Sequence, residues 1–285
     1  MRSLVFILIF GIFSSGCASV DFNRAYLKKV SNNAGVHEVI PLKLMTKDHH
    51  SIAANHYYSA HAQVVILAHG FFNNKDAYLF QEIAQKLSEF YDVISFDFRG
   101  HGKSNGLFTW STYESQDIEA VIQYAKEHKY KKIGVMGFSL GAAIALVEAS
   151  HNKDINSVIA VSAPEDVDHI DFHFWEREML QDIKLNIGYK GRNKGVRPGN
   201  PFMRKIKPID VVSKISPTPV LFIHGEKDWL IKPYHSERLF AAAKEPKRLM
   251  IIPEAGHAEK IYDDYPEKFI NACKEWFDLT LMDRE

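Results

Sequence analysis

The sequence predicts an α/β protein: a mainly parallel sheet with helices on both faces. Two observations carry that prediction. From Val64 onward, short apolar runs alternate with stretches of helical length, the order a parallel sheet requires because each crossover is a helix. In addition, Gly137-Phe138-Ser139-Leu140-Gly141 joins one such run to one such helix in a sharp turn. The elements read in order as follows. Residues 36–45 and 52–58 are candidates for an opening hairpin. Apolar runs starting at Val64 and Val93, and at 133–136, 158–161, 220–223 and 249–253, have the length of buried strands. Between and after them, residues 77–90, 113–127, 140–150, 234–243 and 266–279 read as helices. The alternation stops between Ala163 and Ser213, where no strand is evident.

Length and composition narrow the class. The 285 residues are 46% hydrophobic with a formal net charge of zero, which suits one large globular domain. Neutral charge and the lack of a basic aromatic platform argue against nucleic-acid binding. The sequence contains no dinucleotide fingerprint, phosphate-cradling loop, internal repeat or low-complexity tract. His49, His50, His56 and His61 have no usual metal-site spacing, and strand alternation predicts exposed positions for them. No metal and no cofactor are expected.

The chemistry-bearing residues cluster just after the apolar runs. Ser139 lies between two glycines, which allow strand and helix to approach closely around it. Asp228 follows the run at 220–223, and His257 follows the run at 249–253. The order Ser139, Asp228, His257 is joined by Val64-Val65-Ile66-Leu67-Ala68-His69-Gly70-Phe71-Phe72 and by Asp97-Phe98-Arg99-Gly100-His101-Gly102-Lys103-Ser104. On these motifs the chain resembles the α/β-hydrolase fold family, in particular its serine esterase, lysophospholipase and aminopeptidase-like branch, over roughly residues 36–278. The resemblance implies an active site at the carboxyl ends of the strands and a cap insertion after the sixth strand. It divides the chain into a core of 36–162 and 214–285 and a cap of 163–213.

The residue types fit that chemistry. A serine needs a base within hydrogen-bond reach to become nucleophilic. His257 can take the Ser139 proton and return it to a leaving group. Asp228 would fix the imidazole tautomer and stabilise the imidazolium. Glu226, Glu165 and Asp166 are alternative acids. The backbone N–H groups of Phe71 and Leu140 are the expected oxyanion donors. By resemblance Asp97, Arg99, His101 and Ser104 tie a loop beside the site, and His69 shapes the oxyanion loop. The expected activity is hydrolysis of a small-molecule or lipid ester through an acyl-enzyme. A peptidase or amidase of the same fold and a non-catalytic envelope-binding module are the alternatives. A haloalkane dehalogenase is disfavoured because Ser139 stands where those proteins carry aspartate.

Residues 1–16 read as a signal peptide: Arg2 precedes an apolar stretch at 4–10, too short for the roughly 20 residues that span a bilayer. Ser15-Gly16-Cys17 resembles a bacterial lipoprotein signal, with Cys17 lipidated and 17–35 a tether. Ser14 departs from the leucine usual in such signals. The implied location is the bacterial cell envelope through a membrane anchor at Cys17. Ala18 points weakly to the outer membrane, and a secreted or periplasmic protein is the alternative. Cys273 is expected to be buried and apolar. Within 163–213 an acidic half (Asp166, Asp168, Asp171, Glu176, Glu178, Asp182) precedes a basic half that includes Lys184, Lys190, Arg197, Lys205 and Lys207. The two halves are expected to pair, the alternative being that the basic half faces anionic headgroups. Phe172, Phe174, Trp175, Tyr189 and Phe202 are candidates for an acyl pocket or for packing the cap. Oligomeric state is not legible.

Overall fold

The computed structural model describes residues 38–170 and 196–282. Eight strands form one sheet: β1 (Glu38–Met45), β2 (Ser51–Tyr58), β3 (Gln63–Ala68), β4 (Asp92–Phe96), β5 (Lys132–Phe138), β6 (Ser157–Val161), β7 (Val220–Gly225) and β8 (Lys247–Ile252). Their spatial order is β1-β2-β4-β3-β5-β6-β7-β8. β1 and β2 form the expected antiparallel hairpin, and β2 pairs antiparallel with β4. Every other pairing is parallel. Among the described residues the α-helices are α1 (Tyr78–Leu87), α2 (Ser115–Glu127), α3 (Leu140–Ala149), α4 (Pro208–Val211), α5 (Tyr234–Ala242), α6 (Lys260–Asp264) and α7 (Pro266–Leu281).

The apolar runs are continuous because the parallel strands are buried on both faces. Side chains alternate along each strand, so Val64, Ile66 and Ala68 enter one core while Val65 and Leu67 enter the other. The first core joins these residues to Ile118 and Val121 of α2 and Leu146 of α3. The second joins Met136, Phe138, Ile159 and Leu221 to Phe80 of α1 and Phe269 and Phe277 of α7. α3 lies under this sheet with all ten residues buried. β4 and β5 flank β3, so the chain reverses its direction of travel across the sheet beside β3. In open parallel sheets the crevice at the carboxyl ends beside such a reversal is where ligands bind.

Two readings need correction. His56 is buried, not exposed: its ring nitrogens lie 3.1 and 2.9 Å from the Tyr124 and Tyr130 hydroxyls. The cause is Tyr124 of α2 and Tyr130 just after it, which pack edge-on over the His56 ring and cover that face of β2. The short helices α4 and α6 were not expected, since four or five residues carry no readable periodicity. Between β6 and β7 the described residues form a 3₁₀ turn at Val167–His169, an isolated bridge from Pro198 to Phe108, and α4. Residues 1–35, Phe172, Phe174, Trp175, Tyr189, and the charged residues of 171–195 lie outside the described residues. Phe202 is exposed, and Cys273 is buried as expected.

Behind the sheet edge sits a buried ionic cluster. The Arg99 Nε and Nη2 donate to Asp117 at 2.9 and 2.7 Å, and Nη1 donates to Asp48 at 2.6 Å. The Arg99 backbone N–H donates to the second Asp117 oxygen at 2.8 Å. Asp97 accepts the backbone N–H groups of Lys75 and Lys103, and the Ser104 hydroxyl donates to the Asp97 carbonyl. The loop after β4 is thereby fixed to the β1–β2 turn, α2 and the loop after β3. Asp117→Ala leaves the Arg99 charge buried with half its partners. It is expected to cost about 3–5 kcal/mol, read as a lowered urea midpoint at unchanged m-value.

Candidate active site

β5 ends at Phe138, and Ser139 turns the chain directly into α3. Ser139 has φ 53° and ψ −120°, a strained conformation for a residue with a side chain. The turn is tight enough that only glycine fits on both sides. A Cβ on Gly137 would stand 2.5 Å from the Ala142 Cα, and one on Gly141 would stand 2.4 Å from the Ala68 and His69 carbonyls. The Ser139 N–H donates to the Val161 carbonyl of β6 at 2.8 Å, which anchors the turn to the sheet.

The structure brings the three sequence-selected side chains together. The Ser139 hydroxyl lies 3.0 Å from His257 Nε2, and His257 Nδ1 lies 2.7 Å from Asp228 Oδ2. The distances set the tautomer: Nδ1–H donates to the carboxylate, and Nε2 accepts from the hydroxyl. Ser139 and His257 are each 8% exposed and Asp228 only 1%, so the dyad faces the cleft and the acid lies behind it. The other Asp228 oxygen accepts the Leu230 and Ile231 backbone N–H groups at 3.1 and 2.8 Å. Burial alone would raise the Asp228 pKa. The charge of His257 and hydrogen bonds from His224 and His257 outweigh it and hold the carboxyl well below the usual range.

The alternative acids are elsewhere. Glu165 is bound by Arg238 at 2.6 Å. Glu226 is exposed and accepts the Glu254 N–H. Asp166 accepts the Asp168 N–H and pairs with Lys207 at 2.7 Å. Sequence reasoning missed His224, which braces the acid. It lies 3.2 Å from Asp228 Oδ2, donates to the Ile231 carbonyl at 2.7 Å, and accepts from Ser236 at 2.6 Å. Its position directly after the apolar run at 220–223 gave no sign of that role.

Ser139 and His257 open into a cavity of about 120 Å³. Phe71, Trp110, Leu140, Val167, Ile170 and Leu230 supply its apolar wall. Phe71 and Leu140, the expected donors, both border it. Among the described residues neither of their N–H groups is given to an acceptor. The Phe71 ring is held in a stack on Trp110, with centroids 5.1 Å apart, and edge-on to Phe108 at 5.4 Å. Among the described residues no group of three or more His, Cys, Asp or Glu side chains is placed to hold a metal ion.

A sequence model of the alpha/beta hydrolase fold matches residues 63–193. The chain has the α/β-hydrolase fold. It is 27% identical over 217 residues to YfhR, an uncharacterized protein of Escherichia coli O157:H7, covering 73% of this chain and 68% of the relative. It is 28% identical over 212 residues to YqkD, an uncharacterized protein of Bacillus subtilis, covering 68% and 64%. The chain thus spans about two thirds of the length of these relatives. Among solved structures it is similar to the Pyrococcus furiosus esterase Pf2001, with a TM-score of 0.71 and 21% identity over 94% of this chain and 98% of that one.

In this α/β-hydrolase-fold chain the loop bearing Phe71 is braced by two buried histidines. His101 Nε2 donates to the Phe71 carbonyl at 2.8 Å. His69 Nδ1 donates to the Gly70 carbonyl at 2.7 Å, and its Nε2 accepts the Phe98 N–H at 3.1 Å. Protonating His69 would set two N–H groups against each other. Burial pushes its pKa down to about 4, partly opposed by the Gly70 hydrogen bond. In the unfolded chain a histidine titrates near 6.5, so between these values the unfolded state binds more protons. The His69 contribution is therefore complete above about pH 6.5 and is lost as pH falls toward 4. In urea titrations at pH 7 and 5, wild type is expected to lose about 2 kcal/mol more than His69→Gln over that interval. Equal losses would refute the assignment.

Proposed function

We propose that this chain is a serine hydrolase that cleaves carboxylic esters of small acyl or lipid type. The observation that carries the reading is the unbroken hydrogen-bond path from Asp228 through His257 to Ser139, ending at a mostly apolar cavity. In this reaction the Ser139 oxygen attacks the ester carbonyl carbon while His257 Nε2 takes its proton. Negative charge collects on the carbonyl oxygen and is met by the N–H groups of Phe71 and Leu140. The tetrahedral intermediate collapses, the alcohol departs with the proton from His257, and an acyl-Ser139 ester remains. Water then attacks that ester. His257 takes the water proton and returns it to Ser139 as the acid leaves.

The buried, low-pKa Asp228 suits the supporting role: it stays ionised and stabilises the imidazolium without accepting its proton. The apolar wall suits an acyl chain better than a charged group. A similar solved structure named as an esterase is consistent with this reading at the level of fold. The decisive experiment is labelling with a fluorophosphonate serine probe. Wild type is expected to label and Ser139→Ala to stay unlabelled. Asp228→Asn, which mis-sets the imidazole tautomer, is expected to lower kcat on a short aryl ester by about 10⁴-fold. A folded wild type that does not label would overturn the reading in favour of a binding module. Faster turnover of an aminoacyl arylamide than of any ester would move it to the amidase reading.

The proposal extends to the amino-terminal segment, outside the described residues. Cleavage before Cys17, with Cys17 lipidated as the new amino terminus, would anchor the hydrolase in the bacterial cell envelope, with 17–35 as tether. In cells, Cys17→Ala is expected to abolish palmitate incorporation and release the protein from the membrane fraction. Unchanged membrane association and labelling would exclude the anchor.

A further inference from the structure

Besides Ser139 and His257, charged side chains border the cavity at two places: the Asp168–Lys205 pair, whose charges answer each other, and Glu259, a carboxyl group the ester mechanism does not use. Glu259 borders the same cavity as Ser139 and His257, yet it is only 6% exposed. Asn73, also lining the cavity and 5% exposed, donates through Nδ2 to Glu259 Oε1 at 2.6 Å. The two residues come from opposite ends of the fold: Asn73 follows the β3 loop that carries Phe71, and Glu259 follows His257 by two positions. Burial pushes the Glu259 pKa up, against the charge of His257 and hydrogen bonds from its own backbone N–H and Asn73. A buried carboxyl is costly unless its acceptor positions are filled. Its two oxygens offer about four such positions, more than Asn73 and one backbone N–H occupy.

We infer that Glu259 and Asn73 form a polar subsite that accepts a hydrogen bond from a free hydroxyl on the alcohol part of the ester. This deepens the ester-hydrolase reading and rests on it. The subsite belongs to the alcohol side because Glu259 sits on the loop of His257, whose ring returns the proton to the departing alcohol. The acyl chain is left the aromatic and aliphatic wall of Phe71, Trp110, Leu140 and Val167. The favoured substrates are therefore monoesters of polyols, such as a glycerol monoester, over esters of simple alkanols. The discrimination is of the stronger kind, since a site built to hydrogen-bond a hydroxyl leaves buried polar groups unmet when the hydroxyl is missing.

The test compares 2,3-dihydroxypropyl butanoate with propyl butanoate, which share an acyl group and differ only in the hydroxyls. For wild type, kcat/KM is expected to favour the dihydroxypropyl ester by about 10-fold or more. For Glu259→Leu the ratio should fall close to one. Glu259→Gln, which keeps the shape and one acceptor, should retain an intermediate ratio and guards against a folding defect in the leucine variant. A wild-type ratio near one, or a ratio unchanged in both variants, would overturn the subsite while leaving the ester-hydrolase reading intact. If wild type cleaves neither ester, that reading is what fails. The subsite is then judged by calorimetric binding of the two esters to Ser139→Ala: tighter binding of the dihydroxypropyl ester supports it, and equal affinity refutes it.

Discussion

The fold's chemistry depends on one strained residue. Ser139 at φ 53° holds a backbone conformation that costs on the order of 1–3 kcal/mol, and such a conformation persists only where its surroundings leave no alternative. Here they leave none. β5 is hydrogen-bonded on both sides, to β3 and β6, so the chain before Ser139 cannot shift. α3 is buried along its whole length, so the chain after Ser139 cannot shift either. Gly137 and Gly141 remove the two Cβ atoms that would force strand and helix apart. The strained turn sets the Ser139 hydroxyl 3.0 Å from His257 Nε2 at the cavity that Leu140 also borders.

Everything else at the site is arranged around that fixed point by loops, and each loop is braced from behind. The Phe71 loop is pinned by His69 and His101, whose neutrality is maintained by burial. The loop carrying Arg99 and His101 is in turn pinned by Asp117 and Asp48. Asp228 is held by two backbone N–H groups with His224 at its flank, so the acid that orients His257 has no freedom to swing away. Loops positioned in this way reach the precision of regular elements without surrendering the cleft they surround.

The parallel sheet, the hairpin, and the order of the three triad-like residues were legible because each has a periodic or ordinal signature. Apolar runs mark doubly covered strands, and glycines flanking a serine mark a turn that tolerates no side chain. Chain order selected Asp228 but left Glu226, Glu165 and Asp166 as alternatives, because they too follow strands and the sequence does not say which way each points. The structure separates them through Arg238, Lys207 and solvent, each of which claims one competitor. His56 was misread because alternation along β2 says which residues share a face, and it does not say that both faces are covered. Glu259 was missed for a related reason: its meaning lies in Asn73, 186 residues away in sequence.

The described parts of residues 163–213 show the expected pairing of acids with bases. Lys205 donates to Asp168 at 2.8 Å and Lys207 to Asp166 at 2.7 Å, so these bases answer the acids of the first half. Arg197 turns inward and donates to the Ser104 carbonyl. Such pairs are weak individually where exposed, but they link the two flanks of the segment, and Asp168 and Lys205 both border the cavity. Cations engaged in this way are poor candidates for drawing an anionic headgroup into the cleft. Among the described residues, selectivity in the proposed reaction then falls to the cavity, where an apolar wall meets the buried carboxyl of Glu259. On the proposed reading that arrangement suits a neutral substrate with one greasy end and one hydroxylated end, because among the described residues of the cavity the Lys205 charge is already paired with Asp168.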